Sequence, residues 1–293
     1  MEPAEPYLLN PEVSTFPEPV FLPQPAAPPQ RVWLHVLLFV LTVITTTSVA
    51  GPVFSAGLLS ILTAHEFGHY FTARKYRVPV TLPYFIPFPF SLFGTLGAVI
   101  RMSPRIPHRR ALFDIAAAGP LAGLVLAIPL SYLGILHSAI VQKSAVPRGS
   151  ITLSEPLLFK GLSLLAHGSL GNNLDMVLHP LAFAGWAGMF VTALNLLPIG
   201  QLDGGHISQA LFGSRSRMVA GTLFVGLGVY CIVKWNPTWI PLLVLLFIMG
   251  VKHPPSADDG LPIGRSREIL GILLALIFVA CFSLVPIDLG PGR

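Results

Sequence analysis

Long apolar runs separated by short basic loops constrain this chain more than any other feature. A transmembrane helix needs about 20 mostly apolar residues, and such runs lie at roughly 33–50, 53–73, 112–137, 180–198, 218–233, 238–251 and 269–286. Six to seven spans are expected, since the two runs between 218 and 251 can form one tight hairpin broken at Asn236 and Pro237. Only 11% of the 293 residues are charged and 53% are hydrophobic, whereas a soluble domain carries about a quarter charged residues. The expected fold class is an all-α polytopic membrane protein.

Residues 1–30 are rich in proline and glutamate and hold no basic residue before Arg31. That is the wrong sign for a secretory or transit leader, so a disordered cytoplasmic tail is expected. With the N-terminus inside and seven spans, 13 of the 18 Lys and Arg residues fall on the cytoplasmic side, as cytoplasmic loops require. The ends of the second and fourth spans then share that side. The net charge of +5 is spread over short loops rather than gathered on a contact face, so no nucleic-acid partner is expected. Cys231 and Cys281 lie in apolar runs without a CxxC pattern, so neither a disulfide framework nor a Cys-type zinc site is indicated. Residues 31–217 are expected to form a membrane-embedded core with an outer loop at 138–179, and 218–293 to add C-terminal helices. Within the loop, 153–178 has helical spacing interrupted by Glu155, Lys160, His167 and Asp175, which fits an amphipathic surface helix.

The second run contains "HEFGH", residues 65–69. Four residues apart on a helix, His65 and His69 lie about 6 Å apart along the axis on one face and can converge on one metal ion. In H-E-x-x-H the two imidazoles bind zinc and the glutamate, here Glu66, is general base for water activated at the metal. Glu66 is the only acid between Glu18 and Asp114, and an ionisable residue inside a membrane marks function by default. A His₂ zinc site needs a third ligand. The only acid between Asp175 and Asp258 is Asp203, in "NLLPIGQLDGGH", just past the fourth run.

Together, "HEFGH", "FGTLGAVI", "FDIAAAGPLAG" and "NLLPIGQLDGG" resemble the site-2 protease family of intramembrane zinc metalloproteases, over roughly residues 50–215. The likeness is greatest to members without a PDZ domain, including those of chloroplasts. It implies a three-helix catalytic core, one Zn²⁺ per chain held by His65, His69 and Asp203, Glu66 as base, and hydrolysis of peptide bonds in transmembrane segments of other proteins within the bilayer. It also implies a small membrane-associated β or re-entrant segment at 79–101. There "GTLGAVI", with Gly94, Thr95 and Gly97, can offer an edge strand to an extended substrate, the alternative being an interfacial loop anchored by aromatics. Asn195 can face the same cavity and donate to a substrate carbonyl or oxyanion, or simply bond between helices. Gly119 and Gly123 read as a close-packing motif, and His206 stays outside the metal shell because a fourth protein ligand would close it. The rival reading is a metal transporter or metal-binding scaffold. The expected location is a bacterial inner (plasma) membrane, with the active site opening to the cytoplasm.

Overall fold

The computed structural model describes residues 30–146, 150–234, 239–249 and 262–288. The tail up to residue 29, the break at Asn236 and Pro237, and Lys252 lie outside the described residues. The first helix, α1 (Val32–Lys75), has 44 residues, about twice a membrane crossing. It is not straight. Ala50 and Gly51 leave the helical region, Gly51 at φ 82°, a conformation glycine adopts at little cost, and Pro52 restarts the helix where its missing N–H does no harm. Thr46 Oγ1 and Ser55 Oγ lie 2.6 Å apart, although nine residues of straight helix would separate them by about 13 Å. Phe39 and Val43 share a cleft with Ala64 and Phe67. The helix is thus two limbs folded side by side, corresponding to the runs at 33–50 and 53–73.

The proline- and aromatic-rich stretch that follows forms a hairpin of β1 (Tyr84–Pro87) and β2 (Thr95–Val99), with Tyr84 opposite Val99 and Phe85 opposite Ala98. It lies along the first limb of α1. There His35 Nδ1 donates to the Pro83 carbonyl at 2.9 Å, and Phe39 meets Phe85 edge to face. Because the sheet has two strands among the described residues, β2 keeps one edge unpaired by them.

Helix α2 (Arg109–Leu136) is the centre of the bundle, with half of its residues buried along its length. Its inner face is Ala116, Ala117, Gly119, Gly123 and Ala127, small side chains that let helix backbones approach where hydrophobicity alone gives no drive to associate. Against it pack the second limb of α1, α4 (Pro180–Asn195) and α5 (Asp203–Phe212). A single 3₁₀ turn joins α5 to α6 (Ser216–Val233). Among the described residues three stretches are long and apolar enough to cross a membrane: Val32–Lys75, Arg109–Leu136 and Asp203–Val233. Two further apolar helices follow, α7 (Ile240–Met249) and α8 (Arg265–Cys281).

The connection from α2 to α4 departs from the long surface helix expected at 153–178. Only α3 (Leu157–His167) is helical; its C-cap Gly168 turns to φ 69° and ends it, as glycine there commonly does. The chain then extends as β5 (Leu174–Val177), which pairs antiparallel with β3 (Ala139–Gln142). A second small sheet joins β4 (Thr152–Leu153) to β6 (Ile287–Asp288), just past α8. Helix ends sort into two faces. At one, Gln30 Nε2 donates to Val80 O at 3.2 Å and Arg110 Nε to Pro262 O at 2.7 Å. At the other, beside the two small sheets, Trp239 Nε1 donates to Leu284 O at 2.8 Å.

Candidate metal centre

Three elements bring the site together: the second limb of α1 supplies His65, Glu66 and His69, the end of α4 supplies Asn195, and α5 opens on Asp203. Asp203 is the first residue of a helix rather than part of a loop, with Leu202 as its N-cap, and a carboxylate is stabilised there by the helix dipole. Helix α5 is pinned to α2 at its other end, where Arg109 Nε donates to Ala210 O at 2.8 Å and Nη2 to Leu211 O at 3.1 Å.

The ligand atoms converge. His65 Nε2 and His69 Nε2 are 3.1 Å apart, and each is 3.3 Å from Asp203 Oδ2. His69 Nδ1 lies 2.8 Å from the Ile115 carbonyl of α2; a carbonyl only accepts, so Nδ1 carries a proton and, in the neutral imidazole that binds a metal, Nε2 turns a bare lone pair inward. Asp203 Oδ2 is buried with no hydrogen-bond donor. Acceptors facing one another in an apolar bundle repel, and a divalent cation among them removes the conflict. Two imidazoles and one carboxylate with a position left open form the donor set of a catalytic zinc site, and a His ligand whose other nitrogen donates to a carbonyl is its usual support. The residues present therefore fit a zinc ion.

Glu66 is 5% exposed and its carboxylate meets the Ile100 backbone N–H just past β2. With the three ligands it lines a cavity of about 240 Å³ whose remaining wall includes Ala98, Val99, Asn195 and His206. Asn195 Nδ2 lies 3.2 Å from His65 Nε2. Gly94, Thr95 and Gly97 sit in the adjoining hairpin and do not line this cavity. Gly94 abuts the Thr45 backbone, the Thr95 hydroxyl donates to Ile86 O at 2.8 Å and accepts from Gly97 N–H at 3.0 Å, and Gly97 has open space where a side chain would be.

Two contributors escape sequence reasoning. The Ile115 carbonyl is a backbone group and leaves no mark in the sequence. Gly119 leaves one, the small-residue motif, but its use is closer to the chemistry than packing: a Cβ there would stand 2.1 Å from His69 Nε2, so glycine makes room for the ring.

A bundle of apolar helices enclosing an H-E-x-x-H helix and a distant aspartate defines a membrane-embedded metallopeptidase architecture. The chain belongs to peptidase family M50, whose family model matches residues 53–232. It is 33% identical over 255 residues to the rice (Oryza sativa subsp. japonica) probable zinc metalloprotease EGY1, chloroplastic, covering 80% of this chain and 42% of that protein. It is 32% identical over 241 residues to the Arabidopsis thaliana EGY1, covering 79% and 42%, and 31% identical over 223 residues to the Arabidopsis EGY2, covering 75% and 40%. The chain thus spans about two-fifths of the length of these curated relatives. All three are named chloroplastic, and the expected bacterial inner membrane finds no support among them.

Proposed function

We propose that the chain is a zinc endopeptidase that cleaves peptide bonds within or next to transmembrane segments of other membrane proteins, as a step of regulated intramembrane proteolysis. The observation that carries this reading is the convergence of His65, His69 and Asp203 beside a buried Glu66 in one cavity. His65, His69 and Asp203 would hold the zinc ion, which when bound would supply electrophilic polarisation and would acidify a water there toward a pKa of about 7. Glu66 is placed to take a proton from the attacking water and to deliver it later to the leaving amine. Asn195, at the cavity wall, donates its amide to the substrate carbonyl. The free edge of β2 binds the substrate as an added strand, holding it unwound.

Seven crossings account for the way helix ends alternate between the two faces, starting from the face that bears Gln30, Val80 and Arg110. The site opens toward that same face, and Lys75 lies about 9 Å along the helix from His69. In this reading the partners are the bilayer and substrate helices, 31–217 is the protease core and 218–293 flanks it. A transporter needs polar sites across the whole membrane; one cluster of metal-binding side chains is present among the described residues.

The test is cleavage of a single-span model substrate by purified protein in detergent, wild type beside Glu66→Gln, each with zinc and with chelator. Zinc-dependent cleavage by wild type alone is the expected result. Cleavage by Glu66→Gln at the wild-type rate removes the base assignment, and cleavage that survives chelation removes the metal.

A further inference from the structure

The C-terminal helix α8 lies beyond residues 53–232, the part matched by the family model, yet it reaches the support of the metal site. Arg267, in its first turn, grips Asp114 of α2 with a two-pronged contact, Nε to Oδ1 and Nη2 to Oδ2, both at 2.7 Å. Parallel donors of this kind fix the plane of a carboxylate as well as its place. The Tyr76 hydroxyl, at the end of α1, donates to the same carboxylate. Burial, and the carboxylate beside it, push the Tyr76 phenol above its ordinary range, so the hydroxyl retains the proton it donates.

Asp114 directly precedes Ile115, whose carbonyl receives His69 Nδ1–H. Tyr76 follows His69 by seven residues, two helical turns along nearly the same line. The end of α1 is therefore joined to the start of α2 by two adjacent rungs, Tyr76 to Asp114 and His69 to Ile115. The second rung has no slack. The His69 ring is confined between that carbonyl and Gly119, where even a methyl group would overlap it. A small slide of α2 along α1 must either break the Nδ1 bond or press the ring off its position.

We infer that Arg267 is a positioning residue for the metal site: by clamping Asp114 it fixes the register of α2 against α1, and through the Ile115 carbonyl it sets the pose of His69. This rests on the zinc reading above and assigns α8 a part in it. Tyr76 completes the clamp.

The test measures zinc affinity of the full chain in detergent by competition with a chromogenic chelator, with thermal unfolding recorded on the same samples. Arg267→Gln is expected to weaken zinc binding about tenfold, the low end for removing support from a ligand; Arg267→Lys, which keeps charge but not the fork, falls between that variant and wild type. Tyr76→Phe, the loss of one oxygen, weakens binding in the same direction and decides the matter alone if Arg267→Gln does not fold. Arg110→Gln is the control. Its guanidinium joins α2 to the lead-in of α8 at Pro262 without touching Asp114, so it is expected to lower the melting temperature and leave zinc affinity at the wild-type value. Wild-type affinity in Arg267→Gln or in Tyr76→Phe overturns the inference, as does an Arg110→Gln variant that loses affinity in step with stability. A wild-type chain that takes up no zinc overturns the metal reading and this inference together, which sets that failure apart from the others.

Discussion

His69 is held by groups of very different visibility. Its partner His65 is evident from spacing, but the surface that accommodates its ring belongs to Gly119, and the separation between harmless and harmful change there is about 1 Å. A Cβ at Gly119 would stand 2.1 Å from His69 Nε2, while one at Gly123 would stand 3.4 Å from the nearest atom of His65. Gly119→Ala is therefore expected to push the imidazole off its position and weaken zinc binding by more than about tenfold, with a stability cost of about 1–3 kcal/mol from overpacking. Gly123→Ala is expected to bind zinc nearly as wild type does. Chelator competition on the two variants side by side checks both; equal affinity would mean that α2 yields to the extra methyl. His65, Glu66, His69 and Asp203 stand out in the sequence because ionisable side chains in or beside apolar runs are costly. Gly119 was legible only as a small residue, since sequence spacing shows which face of a helix packs closely but not what packs there.

The β1–β2 hairpin raises a similar question for elements. Its prolines and aromatics rule out a continuous helix, but nothing in them says which edge is left open. The structure supplies that from contacts at the end of β2. The Arg101 N–H turns to Thr81 Oγ1 at 3.1 Å, and the Ile100 N–H turns the other way, to Glu66. Strand N–H groups alternate in direction, which directs the Ala98 N–H to the unpaired edge along the cavity. Ala98→Pro removes that donor while sparing the bonds to β1, as proline can on an edge. The expected result is at least about a tenfold fall in kcat/KM on a single-span substrate, of the order of one or two lost hydrogen bonds, with zinc affinity unchanged. Unaltered kcat/KM would exclude strand addition at this position. Elements were less legible where glycine and asparagine interrupt a helical pattern: between His167 and Leu174 the period of apolar residues continues, but Gly168 ends α3 and the following residues pair with β3. Long-range pairing of that kind has no local signature.

At the scale of the molecule, apolar run length gave the helices with nearly the right bounds, because the bilayer demands a minimum span. The fold-back at Gly51 falls between the runs at 33–50 and 53–73, where Gly51 and Pro52 stand. What run length does not give is which ends lie together, and that arrangement decides whether Asp203 can reach His65 at all. In the seven-crossing arrangement proposed above, Arg105 and Arg217 fall at the face that bears the Gln30–Val80 and Arg110–Pro262 bonds, and Lys160 and Lys234 at the face of the Trp239–Leu284 bond. All four are exposed. Single cysteines at these positions should therefore divide two and two. Cys231 and Cys281 are buried at 8% and 0% exposure, so both native thiols should stay silent. In sealed vesicles of uniform orientation, a membrane-impermeant maleimide is expected to label Arg105→Cys and Arg217→Cys alike, and Lys160→Cys and Lys234→Cys in the opposite sense, with all four labelled once detergent opens the vesicles. Arg217→Cys siding with Lys234→Cys would mean that α6 does not cross. The seven-crossing arrangement would fail with it, while the metal site, built wholly from residues before α6, would stand.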